Sequence, residues 1–186
     1  MPSDPRTRVR ADLLAARQAW MQSPEGQSAQ PVWAQHLARV IEQLEPDVLG
    51  LYWPIRFEFN PVQALASLVQ RQKLSCALPF ARRDPPLMSY HTWSGQEPAI
   101  KDECGIPSCA GAQVVPDVVL VPCVGFNGRG FRLGYGGGYF DRWLQAHPGV
   151  TAIGLAWSGS LHDFGPQAHD MPLSLVVTEQ GVFEGA

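Results

Sequence analysis

The chain of 186 residues contains no run of ~18 consecutive apolar residues, so no membrane-spanning helix is predicted. Its first ten residues, MPSDPRTRVR, lack the apolar core of a secretion signal. A cytoplasmic protein with no membrane partner is therefore expected. No long basic run occurs and the net charge is −3, which argues against a nucleic-acid partner. The four cysteines, Cys76, Cys104, Cys109 and Cys123, include no C-x-x-C pair. They read as reduced, packed thiols rather than a zinc site or a disulfide framework. His162 and His169 have no third ligand at a metal-binding spacing. Internal repeats and low-complexity tracts are absent. No Ser-His-Asp or Cys-His arrangement suggests a covalent nucleophile.

What is present suits a folded core. The chain is 45% hydrophobic and 17% charged, which places it with globular rather than disordered sequences. Its length favours one domain, with N-terminal helices over about 5–44 and a sheet core over about 47–183. Asp4-Pro5 opens a first helix running to about residue 21, on which Arg6 and Arg10 share a face. Residues 23–30 read as a polar loop, and Pro31 as the start of a second helix with His36 on its surface. Residues 47–53 read as a strand, 54–59 as the loop leaving its carboxyl end, and Asn60-Pro61 as the cap of a further helix. Strands are expected over 74–80 and 87–93 around a turn at 81–86, with an irregular stretch over 97–112. Residues 118–121, 150–157 and 173–179 complete the strands. Repeated strand–helix units argue for an α/β fold with a largely parallel sheet covered on both faces. Ligands in such sheets bind at the carboxyl ends of strands, which puts Glu58 in a ligand-facing loop.

The densest signal runs from Pro116 to Leu144. The buried strand at 118–121 is followed by Gly125, Gly128, Gly130, Gly134, Gly136, Gly137 and Gly138. From Tyr139 the pattern turns helical, with Phe140, Trp143 and Leu144 on one face. Strand, glycine loop and helix N-terminus together present backbone N–H groups and a positive dipole end to an anion. Neither common phosphate fingerprint fits. A GxGxxG pattern on Gly134 and Gly136 would need a glycine where Tyr139 stands, and the loop has no P-loop lysine. The cation here is Arg132, with Arg129 nearby. Asp141 reads either as a cap or first-turn acid or as a Mg²⁺ ligand beside a polyphosphate, and the residues alone leave both open.

The run Arg132-Leu133-Gly134-Tyr135-Gly136-Gly137-Gly138-Tyr139-Phe140-Asp141-Arg142, preceded by Val121-Pro122 and Gly125-Phe126, closely resembles the signature of 5-formyltetrahydrofolate cyclo-ligases, also called methenyltetrahydrofolate synthetases. Weaker similarity extends from about Arg6 to Phe183. The resemblance implies a three-layer sandwich with a mostly parallel central sheet and helices on both faces. It implies a monomeric enzyme that cyclises a reduced folate, 5-formyltetrahydrofolate, to 5,10-methenyltetrahydrofolate with ATP and Mg²⁺. By the same resemblance Arg6, Arg10 and the run Arg132, Leu133, Gly134, Tyr135, Gly136, Gly137, Gly138, Tyr139 and Phe140 bind ATP. Arg132 and Tyr139 are the catalytic candidates, and Asp141 and Asp170 the metal ligands. Glu58, Tyr135 and Met88 are expected on the folate side. Met88, Tyr90, His91 and Trp93 could also stack on a flat pteridine, or simply alternate between core and surface.

Several positions depart from the family pattern. Arg6 stands where relatives carry lysine, and Pro61 replaces the threonine of a Glu-x-x-Thr pattern. Ser108 and Cys109 replace a Glu-Pro pair, and Ser160 replaces a glutamine. These departures motivate an alternative, a non-catalytic folate- or nucleotide-binding paralogue.

Overall fold

Two long helices lead the chain: α1 (Pro5–Gln22) and α2 (Pro24–Leu44). The computed structural model describes residues 5–185, so the expected Asp4 cap lies outside the described residues. The second helix starts seven residues before the expected Pro31. Ser23 adopts extended geometry and its hydroxyl accepts a hydrogen bond from the Gly26 amide at 3.1 Å, with Pro24 as the first helical residue. A serine cap followed by proline both ends α1 and begins α2. The polar composition of 23–30 obscured this, and Pro31 is carried inside the helix. His36, expected on the surface, is half-buried, and its Nδ1 lies 3.0 Å from the Thr178 carbonyl oxygen.

The remaining elements are β1 (Val48–Gly50), α3 (Pro61–Gln72), β2 (Ser75–Arg83), β3 (Pro86–Trp93), β4 (Ile100–Lys101), β5 (Pro107–Ser108), β6 (Gln113–Val114), β7 (Val118–Pro122), β8 (Gly125–Phe126), β9 (Arg132–Leu133), α4 (Tyr139–Ala146), β10 (Thr151–Leu155), β11 (Leu175–Thr178) and β12 (Gly181–Glu184). Asn60 caps α3 as expected, its Oδ1 accepting from the Gln63 amide at 3.1 Å. The turn expected over 81–86 is shorter: β2 and β3 pair out to Arg83 and Pro86, leaving Asp84-Pro85 as the link. The stretch over 97–112 is less irregular than expected, since β4 and β5 pair within it. β12 was not anticipated.

The main sheet has the order β12-β11-β10-β7-β1-β2-β3-β6. The five central strands β11, β10, β7, β1 and β2 are parallel, and the flanking pairings are antiparallel. Counted along the chain, the parallel strands lie in the order 2-1-3-4-5. The direction of winding therefore reverses between β1 and β7, and the carboxyl ends of those strands diverge around a crevice.

Burial explains the layering. Along β7, Val118 and Leu120 point into one apolar cluster and Val119 and Val121 into the other. The first cluster includes Trp33, Leu37 and Ile41 of α2 and Leu65 and Leu68 of α3. The second includes Trp143 and Leu144 of α4. A strand buried on both faces needs apolar residues at every position, which is what the unbroken run Val-Val-Leu-Val supplies. The result is an α/β sandwich of three layers. Among the described residues, no helix is long and apolar enough to cross a membrane.

Candidate active site

A cavity of about 610 Å³ opens at the crevice where the winding reverses. Every residue expected to bind or to act lines it. Arg6 and Arg10 come from α1, Glu58 from the loop after β1, and Met88 from β3. The continuous stretch from Arg132 to Asp141 comes from β9 and the start of α4, and Asp170 from the loop before β11.

The glycine-rich stretch is not one loop. β8 and β9 pair as a small hairpin, and the Asn127 Oδ1 closes its turn by accepting from the Arg129 and Phe131 amides, both at 3.0 Å. The hairpin delivers Arg132 to the cavity on a strand rather than on a mobile turn. A Cβ on Gly134 would lie 2.3 Å from Nη1 of Arg132, so a side chain here would displace the guanidinium from its place over the chain. Arg10 donates from Nε to the Gly134 carbonyl at 2.6 Å. Gly136 and Gly137 are exposed, and Gly138 holds a left-handed conformation (φ 64°) at the N-cap of α4. That conformation costs an L side chain and is free for glycine. Among the described residues, none accepts a hydrogen bond from the amides of residues 135–138. Unpaired amides, three guanidinium groups and a helix N-terminus on one wall can neutralise a polyanion.

Two carboxylates share this wall. Asp141 lies in the first turn of α4 and accepts from Arg132 Nη2 at 2.8 Å. It does not cap the helix, because Gly138 occupies that position. Asp170 accepts from Arg6 Nη2 at 2.5 Å and from the Gln167 amide at 2.7 Å. Burial works to raise the Asp170 pKa, but the Arg6 and Gln167 hydrogen bonds outweigh it and hold the carboxyl below its ordinary value. The Met171 amide, next to Asp170, lies 3.4 Å from Asp141 Oδ1, so the two acids stand together. Two hard oxygen donors beside a phosphate-type wall suit Mg²⁺, which takes one or two carboxylates and completes its shell with phosphate and water. Among the described residues no cluster of three or more His, Cys, Asp or Glu could cage a metal without such help.

Around Glu58 the chemistry of the lining differs. Glu58 is buried, and its Oε1 accepts from the Tyr135 hydroxyl at 2.7 Å while Oε2 accepts from the Ile55 amide at 2.8 Å. Burial pushes the Glu58 pKa up, against the lowering effect of those two hydrogen bonds and of Arg17 and Arg56. Arg56 and Phe57, immediately before it, both take left-handed backbone conformations (φ 49° and 62°). Such a non-glycine pair is strained and persists only where surrounding contacts enforce it.

Sequence reasoning missed three groups here. Asp102 organises the 102–106 wall by accepting from the Ala81, Cys104 and Ile106 amides. Tyr52, buried in the cavity lining, donates to the Phe59 carbonyl at 2.9 Å. Arg17 lies beneath the cavity, and its spacing was a usable signal: Arg6, Arg10 and Arg17 fall on one helical face.

Of the four residues considered for stacking, only Met88 lines the cavity. Tyr90 is wholly buried against Trp143 at 4.9 Å, and the His91 Nδ1 lies 2.8 Å from the Gly111 carbonyl oxygen. The departures at Pro61, Ser108, Cys109 and Ser160 all lie off the cavity wall. Ser108, for example, is buried and donates to the Pro79 carbonyl at 2.7 Å. All four cysteines are free thiols, and burial pushes Cys123 up to about 12.

Comparison with known proteins points to a single family. The model of the 5-formyltetrahydrofolate cyclo-ligase family matches residues 2–179. The chain is 27% identical to a 5-formyltetrahydrofolate cyclo-ligase of Haemophilus influenzae, over 93% of this chain and 97% of that one. It is 41% identical to the Escherichia coli K12 5-formyltetrahydrofolate cyclo-ligase over 71 residues, 37% of this chain and 39% of that one. The solved structure of a 5,10-methenyltetrahydrofolate synthetase from Mycoplasma pneumoniae shares the fold with a TM-score of 0.76 at 23% identity, covering 94% of this chain and 98% of that one. The Aquifex aeolicus 5,10-methenyltetrahydrofolate synthetase gives 0.75 at 26% identity, covering 96% and 92%. With the family model spanning nearly the whole sequence, the chain belongs to the 5-formyltetrahydrofolate cyclo-ligase family.

Proposed function

We propose that this chain converts 5-formyltetrahydrofolate to 5,10-methenyltetrahydrofolate in an ATP- and Mg²⁺-dependent reaction that closes a C–N bond. The observation that carries the reading is the meeting of two unlike sets of groups in one cavity. One offers Arg6, Arg10, Arg132 and the glycine amides, and the other offers Glu58, Tyr135 and Met88.

The chemical problem is an N-formyl carbon that resists attack. Transfer of the γ-phosphoryl group from ATP to the formyl oxygen forms a P–O bond, breaks the bond to ADP and makes that oxygen a leaving group. The second folate nitrogen then attacks the formyl carbon and loses its proton, and the C–O bond breaks to release phosphate. No covalent nucleophile is needed from the protein, which must align the two reactants and neutralise charge that develops on the phosphoryl oxygens. Arg132 suits that role because the hairpin and Gly134 fix it. Tyr139, whose hydroxyl accepts from Cys104 Sγ at 3.4 Å on the cavity wall, is placed to donate to the same group. Arg6 and Arg10 grip the remaining phosphates. Asp141 and Asp170 would hold Mg²⁺, which when bound offsets phosphate charge. Glu58 and Tyr135 orient the pterin, with Met88 against its face.

The test is spectroscopic. Methenyltetrahydrofolate absorbs in the near ultraviolet where its formyl precursor does not. Protein, MgATP and 5-formyltetrahydrofolate should develop the band, and an ATP-free control should not. Folate binding without conversion would instead support the non-catalytic paralogue.

A further inference from the structure

We propose that Arg17, which is absent from the cavity wall, is a positioning residue for the folate side of the site: it fixes the Tyr135 hydroxyl and the turn that carries Glu58, so that the carboxylate meets the cavity as a hydrogen-bond acceptor. The proposal rests on the assignment of Glu58 and Tyr135 to folate binding.

Arg17 is the only fully buried residue of α1 among those described. Burying a guanidinium costs solvation, and here it is not fully repaid, because Nε has no hydrogen-bond acceptor among the described residues. Its other contacts point to one place. Nη2 donates to the Arg56 carbonyl at 2.8 Å and to the Tyr135 hydroxyl at 2.6 Å, and Nη1 reaches the Cys123 carbonyl at 3.4 Å. The Arg56 carbonyl belongs to the left-handed pair that precedes Glu58. Arg17 thus holds a strained turn from outside, as such strain requires.

The donor chemistry sets a direction. A guanidinium has no acceptor, so the Tyr135 oxygen must accept from Arg17. The Tyr135 hydrogen is then directed to Glu58 Oε1, 2.7 Å away. The relay runs from cation through phenol to carboxylate and favours Glu58 in its acceptor form. A reduced pterin presents N–H groups, which an ionised carboxylate accepts and a protonated one does not serve as well. The charged and titratable groups around Glu58 are Arg17 from α1, Arg56 from its own turn, Tyr135 from the glycine-rich stretch, Tyr52 from the segment after β1, and Cys123 after β7. Of these, Arg17 alone joins the hydroxyl and the turn at once.

The experiment combines kinetics with a titration of the ligand-free protein. Arg17→Met should raise the KM for 5-formyltetrahydrofolate by about 10- to 100-fold while the KM for ATP changes less than about 3-fold, and Arg17→Lys should recover much of the loss. In a Glu58→Gln background the further effect of Arg17→Met should fall below about 3-fold, because residues acting through one another are not additive. The Glu58 carboxyl, followed by carbon NMR without ligand, should titrate at higher pH in Arg17→Met than in the wild type. Equal effects on both KM values, full additivity with Glu58→Gln, or an unmoved titration would overturn the proposal. If the wild type makes no methenyl product, the functional reading fails, while the titration still judges the relay. Should Arg17→Met not fold, Arg17→Gln, which drops the charge but keeps a donor for the buried site, carries the same comparison.

Discussion

Arg6 and Asp170 stand 164 residues apart in sequence, yet their side chains meet at 2.5 Å at the edge of the cavity. The pair has a counterpart in Arg132 and Asp141 at 2.8 Å. Each carboxylate proposed to hold Mg²⁺ is therefore matched by a guanidinium proposed to hold phosphate. Without ligand the charges within these two pairs cancel. A metal–nucleotide complex brings both charges at once and can exchange with both pairs together.

Arg132→Ala is expected to lower kcat/KM by about 10²- to 10³-fold, the scale seen when a preorganised transition-state donor is lost. Because Arg132 and Asp141 are mostly buried, some stability will go with it. Arg132→Lys separates the effects. It keeps the charge near Asp141 but loses the planar fork, so thermal stability should recover while turnover stays low. Near-normal turnover in either variant would sink the phosphate-clamp assignment.

Asp141→Asn should raise the Mg²⁺ concentration needed for half-maximal turnover by about 10-fold. A merely structural first-turn acid predicts another outcome: a loss of about 0.3–1 kcal/mol in stability and an unchanged metal requirement. Measuring a Mg²⁺ titration alongside a thermal melt distinguishes the two.

Glu58 yields a pH prediction. Burial raises its pKa above the ordinary 4.5 in the folded protein. A group of this kind favours folding below the unfolded pKa, and that contribution is lost as pH rises through the folded pKa. Replacing it with glutamine removes the penalty for burying charge. The stability of Glu58→Gln relative to the wild type should therefore improve from pH 4 to pH 8 even as folate binding is lost, at about the ordinary carboxylate range and above. Melting curves across that range that stay parallel would refute it.

Ser23→Ala addresses the scaffold alone. Loss of the Ser23–Gly26 cap should cost about 1 kcal/mol in urea unfolding, with kcat and both KM values unchanged. A smaller loss would indicate that Pro24 and the packing of α2 define the helix start without the hydroxyl.

Much of the fold was legible because its strands are buried on both faces. Runs such as Val118–Pro122 leave few alternatives, and Asn60-Pro61 announces α3 plainly. The start of α2 was hidden because Ser, Gln and Gly outweigh a cap when composition alone is read. β12 was hidden because its residues, Gly181–Glu184, are partly or largely exposed and lack a core pattern. In the site, the glycine–arginine–aspartate run is contiguous and was readable as a unit. Asp102 and Tyr52 were not, since each acts through backbone groups brought near only by the fold, and although Arg17 shares a helical face with Arg6 and Arg10, its partners are likewise set by the fold. Tyr90 shows the converse: its place in an aromatic strand suggested ligand contact, and packing on Trp143 consumed it.

Helix α1 is fastened to the body along its length by arginines at 6, 10 and 17 rather than by deeply buried apolar side chains. Two of these arginines hold neutral oxygens and the third holds a mostly buried carboxylate, so added salt should leave this fastening largely intact. Mild denaturant, which competes for hydrogen bonds, should reach it first, and amide exchange in α1 would then quicken while the central strands stayed protected.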